Sequence, residues 1–463
     1  MEAPSLAGII LAAGKGTRMK SELPKCLHTI CGVPMVEAVA RSLRAAGVTR
    51  SIVVIGHGGE DMQRTLGDGY EYAWQREQLG TGHAVLAARD LILTHRGPVV
   101  TCFGDSPLLT PEVFQSLIRR QQETGAACVF AGAKMPDPFG YGRILRDEAG
   151  RPARIVEEKD ADAATKQINE VNVGVYCFDG PALCDLLPRL TNDNAQCEYY
   201  LTDTVDLAAT LGLGTEVVMI PDPSVVQGVN DRWQLAQAAK ALRQRVNRMH
   251  AVNGVTIVDP DTAYIGLDVE IAPDAVIEPN VHLLGKTRID EGARIGPDAT
   301  VKDSRVGRNS VVVRSHVDRS HLGAHVWVGP FANLRPGTVL EDEVKIGDFV
   351  EIKNAVLRRA SKASHLTYLG DAEVGENANV GAGTITCNYD GFNKHRTTIG
   401  KDAFVGSHST LVAPVTIGEG ALIAAGSTIT RDVPGDALGL GRAKQENKDR
   451  WASDYRRRKQ SQQ

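Results

Sequence analysis

The chain has 463 residues, about three times the usual domain length, so two or more folded units are expected rather than one core. Its 47 glycines are roughly a tenth of the sequence against a norm near 7%, and aromatics fall to 5%. A large part of the chain therefore builds its core without big rings, and the lack of a Gly-X-Y period excludes collagen; the net charge of −4 argues against a nucleic-acid binder held by a general basic field.

No apolar run reaches bilayer length, and the opening MEAPSLAGIIL lacks the basic start and long apolar middle of a signal peptide, so a cytoplasmic protein without a membrane partner is expected. Eight scattered cysteines with no C-x-x-C pair point to reduced thiols rather than a zinc or dithiol site. From residue 6 to about 213, short β-rich runs (LAGIILAA, SIVVIG, PVVTCFGD, AACVFAGA) alternate with helical stretches (PMVEAVARSLRAAG, PEVFQSLIRRQQ). That order predicts right-handed crossovers and a mostly parallel sheet covered by helices, with ligands beyond the carboxyl ends of the strands. Residues 230–252 (NDRWQLAQAAKALRQRVNRMHAV), free of Pro and Gly, predict one exposed connecting helix.

Beyond it an aliphatic residue followed by a small or acidic one recurs every six positions, as at Ile271-Ala272, Ile277-Glu278, Ile295-Gly296, Val328-Gly329, Ile346-Gly347, Val380-Gly381, Val405-Gly406 and Ile423-Ala424. A period of six fits a parallel β-helix in which each hexad forms one flat side of a triangular coil, giving roughly nine or ten coils between about 264 and 434. The rhythm fails at 353–371 and 385–398, where projecting loops are expected. The polar end, 445–463, predicts a frayed tail.

Two of the predicted strand ends carry unusual residues. LAAGKGTRM (11–19), with Pro24-Lys25 following, lets backbone N–H groups approach an anion and adds the charges of Arg18 and Lys25. It matches neither the dinucleotide fingerprint, since Met19 replaces the third glycine, nor a Walker A loop, and by itself it reads equally as an ordinary strand-to-helix turn. Asp105, at the end of the strand 98–103, suits Mg²⁺ carried in on nucleotide phosphates, or a helix cap.

Taken in order, L-A-A-G-x-G-T-R-M with P-K, Q-L-G-T-G (78–82), F-G-D (103–105), G-Y-G-R (140–143), E-x-N-x-G (170–174), E-Y-Y-L-T-D (198–203), G-V-N (228–230) and the hexads closely resemble the family of bifunctional bacterial N-acetylglucosamine-1-phosphate uridyltransferases / glucosamine-1-phosphate N-acetyltransferases. The resemblance implies an α/β plus all-β chain: a Rossmann-like nucleotidyltransferase sheet over 1–229, a helical linker over 230–250, and a left-handed parallel β-helix of hexapeptide repeats over 251–463. It implies that Leu11, Ala12, Ala13, Gly14, Gln75, Gly80, Thr81, Phe103 and Gly104 hold the uridine nucleotide, with Gln75 at the uracil edge. Lys25 and Arg18 would neutralise phosphates, Asp105 and Asn230 bind Mg²⁺, and Gly140, Glu157 and Asn172 take the acetamido sugar.

In the hexad half, K-A-S-H-L-T-Y-L-G-D (362–371) is matched as well. A lone histidine is usually a surface residue; by the resemblance His365 is the general base for acetyl transfer, with Glu351 orienting or polarising the pair. Arg335 and Lys353 would grip a sugar phosphate, with Tyr368, Asn379, Asn388 and Tyr389 around it. Asn388 and Tyr389 also border the acetyl-CoA side, formed by Ala382, Ser407, Ala425 and Arg442. The implied small molecules are glucosamine 1-phosphate, N-acetylglucosamine 1-phosphate, UTP and acetyl-CoA. The implied assembly is a homotrimer in which CNYDGFNKH (387–395), including Lys394, reaches a neighbouring chain, with no nucleic acid involved. Two other readings exist: a nucleotidyltransferase with a regulatory solenoid, and a prism serving only as a scaffold. Smooth unbroken coils would favour the second.

Overall fold

The computed structural model describes residues 5–462 and divides into two compact units, Met1–Arg245 and Val246–Gln463. The cut falls inside the predicted connecting helix, which runs unbroken over Arg232–Val252. Among the described residues no helix is long and apolar enough to cross a membrane.

The first unit is built on nine strands: β1 (Ala7–Leu11), β2 (Arg50–Ile55), β3 (Glu71–Trp74), β4 (Pro98–Phe103), β5 (Cys128–Lys134), β6 (Arg143–Arg146), β7 (Pro152–Val156), β8 (Glu170–Asp179) and β9 (Thr215–Met219). The sheet order is β9-β5-β8-β4-β1-β2-β3, with β6 and β7 forming a hairpin attached to β8. β1 lies parallel to β2 and β4, and β8 runs antiparallel to β4 and β5. All five residues of β1 are buried, as expected for a central strand covered on both faces, and two aliphatic clusters pack above and below it. β1 and β4 therefore end side by side, which brings the loops 12–25 and 104–110 to one rim.

The second unit is the predicted prism. Its three flat sides are parallel sheets of 11, 10 and 9 strands, most only two or three residues long. The inward column Ile277, Ile295, Val312, Val328, Ile346, Ala363 and Val380 is 2% exposed or less, and each member is paired with the next. Burying each aliphatic side chain contributes about 1.5–3 kcal/mol, which is how a core without rings holds together.

One expected loop is absent. The coil continues in register through 353–371, with strands Glu351–Lys353, Val356–Leu357, Lys362–His365, Tyr368–Gly370 and Ala372–Val374. The rhythm fails there only in sequence, because one side shortens to five residues between the buried Ile352 and Leu357, and small Ala363 fills an inward position. The second break is a true projection: Val380 pairs with Val405, a separation of 25 residues, where Ala363 to Val380 is 17. The extra residues form a loop closed by the Tyr389–Lys394 bridge. The tail also differs from expectation, since Trp451–Gln460 is a fully exposed helix rather than frayed chain. Asp454 in its first turn and Arg457, Arg458 and Lys459 in its last complement the helix dipole, and the Trp451 and Tyr455 rings stack one turn apart at 5.2 Å.

Candidate active sites

At the rim above β1 and β4, four polar side chains from three distant segments meet. Lys25 Nζ donates to Asp105 Oδ2 and lies 3.3 Å from Asn230 Oδ1, and Arg18 donates to the same Asn230 oxygen at 2.8 Å. Glycine is required on the way to this cluster: Gly16 has φ +60°, and a Cβ there would stand 2.6 Å from Lys25 Cβ. Asp105 caps no helix, because the following helix begins at Pro111 with Thr110 at its cap. The Asp105 carboxylate and Asn230 amide oxygen thus converge on one cationic point. Among the described residues no three His, Cys, Asp or Glu side chains gather as a self-sufficient metal cage. Two hard oxygen donors fit Mg²⁺ that arrives already ligated by nucleotide phosphates.

A cavity of about 290 Å³ opens beside this cluster, lined by Leu11, Ala12, Ala13, Gly14, Lys25, Gln75, Gly80, Thr81, Phe103 and Asp105. Gln75 is buried, and its Nε2 donates to the Gly80 carbonyl at 3.0 Å and meets His83 Nδ1 at 3.2 Å, which leaves the amide oxygen for a ligand donor. Gly80 has φ +109° and passes so close to Tyr199 that a Cβ would lie 2.5 Å from its carbonyl oxygen. Thr81 Oγ1 is held by the Leu201 N–H at 3.0 Å. A larger cavity of about 850 Å³ joins at Thr81, Phe103 and Asp105 and is lined by Arg18, Gly140, Glu157, Asn172 and Asn230. Of the residues singled out in this unit only Gly104 lines neither cavity; its N–H donates to the Leu11 carbonyl at 2.9 Å and keeps Asp105 in place.

In the larger cavity burial pushes the Glu157 carboxyl above its ordinary range, opposed by the Thr202 hydroxyl donating at 3.0 Å. Burial likewise raises Asp203, to about 6. Asn172 is fixed at both ends: Nδ2 donates to the Tyr176 hydroxyl at 2.8 Å and Oδ1 accepts the Gly174 N–H at 3.2 Å. Thr202 and Tyr176 escaped the sequence reading, although Thr202 lies inside a quoted motif. Arg143 escaped it too. Only 2% exposed, it pairs with Glu158 at 2.7 Å and donates to the carbonyls of Ile168, Lys166 and Tyr141, while Glu158 accepts the Gly140 N–H at 3.2 Å. It ties the 140–141 loop to Glu158 and to the segment 166–168. Arg143→Met is expected to lower the melting temperature of the first unit by about 5 °C or more, because buried carbonyls lose their donor; differential scanning calorimetry checks this, and an unchanged melt contradicts it.

In the prism, register gathers a second cluster. Arg335, Lys353 and Gly370 occupy one column of the second side; Asn333, Glu351 and Tyr368 occupy the adjacent column. Arg335 donates to Glu351 Oε1 at 2.8 Å. Lys394, brought back by the projecting loop of the same chain, meets Lys353 and holds its ammonium below the usual lysine range, with Arg335 adding to the effect. Three cations face two carboxylates, Glu351 and Asp371, which leaves one positive charge in excess for an anion. Asn388 donates to Asp371 and so anchors the loop, while Tyr389 is exposed and donates to the Gly391 carbonyl at 2.5 Å.

His365 is not in a loop. It ends strand Lys362–His365 on the first side, opposite Asp348 of strand Lys345–Asp348, and its Nδ1 lies 2.8 Å from Asp348 Oδ1. Asp348 was missed because its partner is 17 residues away, a spacing that means one coil only once coil length is known. Ala382, Ser407 and Ala425 continue the His365 column toward the end of the prism, each beside the residue whose N–H or carbonyl links successive coils. Arg442 is exposed just after Gly441, whose carbonyl accepts from Thr428. Asn379 stands on the first side between Lys362 and Phe404, so one chain does not bring it together with Arg335, Lys353 and Tyr368 on the second.

Comparison with known families places a MobA-like NTP transferase domain over residues 8–169, a GlmU-like C-terminal hexapeptide over 290–391, and a bacterial transferase hexapeptide (six repeats) over 396–431. The chain is 49% identical to the Bifunctional protein GlmU of Heliobacterium modesticaldum across 96% of its own length and 97% of that protein's. The proteins of the same name from Staphylococcus haemolyticus (48%, covering 95% and 98%) and Halalkalibacterium halodurans (47%, covering 96% and 98%) are similar over the same extent.

Proposed function

The chain belongs to the GlmU family of bifunctional proteins, and from that premise we propose that it makes UDP-N-acetylglucosamine in two steps on its two units. The prism acetylates glucosamine 1-phosphate with acetyl-CoA; the first unit then transfers uridylyl from UTP to N-acetylglucosamine 1-phosphate and releases pyrophosphate. The observation that carries the reading is the coexistence of an Arg-Lys-Asp-Asn cluster between two joined cavities with, in the prism, an Asp348-bonded histidine on one side and a cation cluster on the next.

In the first unit the small residues 11–14 and Gly80–Thr81 let the nucleotide lie against backbone, and Gln75 offers its amide oxygen to the uracil edge. Glu157 and Asn172 hold the acetamido sugar so that its phosphate oxygen faces the α-phosphorus in line. Arg18 and Lys25 neutralise charge that builds on the phosphates as pyrophosphate leaves. Asp105 and Asn230 hold Mg²⁺, which supplies further charge neutralisation when bound. Such a transfer needs positioning and electrostatics more than a proton-transfer group.

In the prism Arg335, Lys353 and Lys394 take the phosphate of the amino sugar. The 2-amino nitrogen attacks the thioester carbon, the C–N bond forms and the C–S bond breaks. His365 takes the surplus amine proton and returns it to the departing CoA thiolate. The small side chains of Ala382, Ser407 and Ala425 leave a path for pantetheine, with Arg442 for a CoA phosphate. The separation of Asn379 from the cation cluster, and the exposed stacked rings of Phe331 and Phe349 (5.4 Å) next to Leu366, support a homotrimer with shared acetyl sites. The product would feed peptidoglycan and lipopolysaccharide assembly in the cytoplasm.

Two separate assays test the proposal. N-acetylglucosamine 1-phosphate with UTP and Mg²⁺ is expected to release pyrophosphate, and glucosamine 1-phosphate with acetyl-CoA to release free thiol. Failure of either reaction removes the corresponding half.

A further inference from the structure

The resemblance gives Glu351 as the group that orients His365, but Glu351 lies on the second side of the prism and is bonded to Arg335. A solvent-exposed imidazole samples two tautomers and several ring orientations, and a general base needs one of each. Here the choice is made by the adjacent coil. Asp348 and His365 are paired in register, their strands are locked by the Leu366 N–H donating to the Asp348 carbonyl at 3.0 Å, and Asp348 Oδ1 lies 2.8 Å from His365 Nδ1.

We propose that Asp348 is the positioning carboxylate of an Asp–His dyad, fixing the proton of His365 on Nδ1 so that Nε2 receives the proton of the attacking amine. The inference rests on the reading of His365 as the acetyl-transfer base. During the reaction Nδ1–H stays bonded to Asp348, Nε2 gains the amine proton, and the imidazolium beside the carboxylate then gives that proton to the CoA thiolate; Asp348 itself is never protonated.

Other charged groups do not offer the same service. Strand Lys345–Asp348 carries Lys345, and the strand of His365 carries Lys362; Asn379, Ala382 and Ser407 on the following coils are uncharged. Across the corner stand Glu351, already bonded to Arg335, and Tyr368, and two coils along His408 lies against Gly383. The hydrogen bond holds the Asp348 carboxyl below its ordinary range.

The test is the kcat and KM of acetyl transfer in the full-length protein carrying Asp348→Asn or Asp348→Ala. The isosteric Asn keeps an acceptor for Nδ1–H and loses only the charge, so Asp348→Asn is expected to retain kcat within about threefold of wild type. The Ala variant is expected to lose about tenfold in kcat, with the KM values for acetyl-CoA and glucosamine 1-phosphate within about twofold of wild type. In a His365→Ala background Asp348→Ala is expected to have no further effect. Wild-type kcat in the Ala variant, equal kcat losses in the Ala and Asn variants, or an additional loss in the His365→Ala background would each overturn the dyad. Full acetyl transfer by His365→Ala alone would instead overturn the base assignment on which it rests.

Discussion

Asp105→Ala is expected to lower uridylyl transfer by about 10³-fold or more while acetyl transfer by the same preparation stays within about twofold of wild type. The size follows from what the carboxylate does at the rim of β1 and β4. It is the only anion in a cluster that otherwise holds Arg18, Lys25 and the neutral Asn230, and in the proposed function it would be the strongest oxygen donor there for Mg²⁺. On the proposed function, removing it would weaken the hold on Mg²⁺ and free Lys25 from the position in which its ammonium would meet phosphate. Because Asp105 also holds the mostly buried Lys25 ammonium, a melting curve of the variant accompanies the assay. Pyrophosphate release followed against Mg²⁺ concentration checks this, with free thiol release as the internal control. Loss of both activities, or of neither, contradicts the assignment.

His365→Ala is the mirror experiment: acetyl transfer is expected to fall by about 10²–10⁴-fold, and uridylyl transfer to be unaffected. The residue is 61% exposed in its side chain and bonded only to Asp348, so the folded prism loses almost nothing when it is removed. A loss of this size with an intact melting transition would mark chemistry rather than stability. If the prism is only a scaffold, the substitution is silent.

The hexads were legible because the interior of a triangular coil admits only aliphatic or small side chains, and Ile277, Ile295, Val328 and Ile346 obey that rule without exception. Where Ala363 takes an inward place and a side shortens to five residues, the rhythm is lost to the eye while the coil continues. The loop after Cys387 was legible for the opposite reason, since an insertion of that length fits no side of the prism. The candidate residues of the first unit reach two joined cavities because β1 and β4 end together; Gly104 alone serves from beneath. What stayed hidden is what depends on long-range register. Asp348 finds His365 only through coil pairing, Arg143 finds the Lys166 and Ile168 carbonyls only through the pairing of β6 with β8, and Asn379 proves to be on another side of the prism than the cations it was grouped with.

The most direct measurement of a two-step enzyme is a single mixture of the full-length protein with glucosamine 1-phosphate, acetyl-CoA, UTP and Mg²⁺, in which thiol and pyrophosphate are followed separately. Thiol is expected to appear first and pyrophosphate after it, and omission of acetyl-CoA is expected to stop both. Equal pyrophosphate release from the unacetylated sugar would contradict the order of the two steps and the role given to Glu157 and Asn172 in selecting the acetamido group.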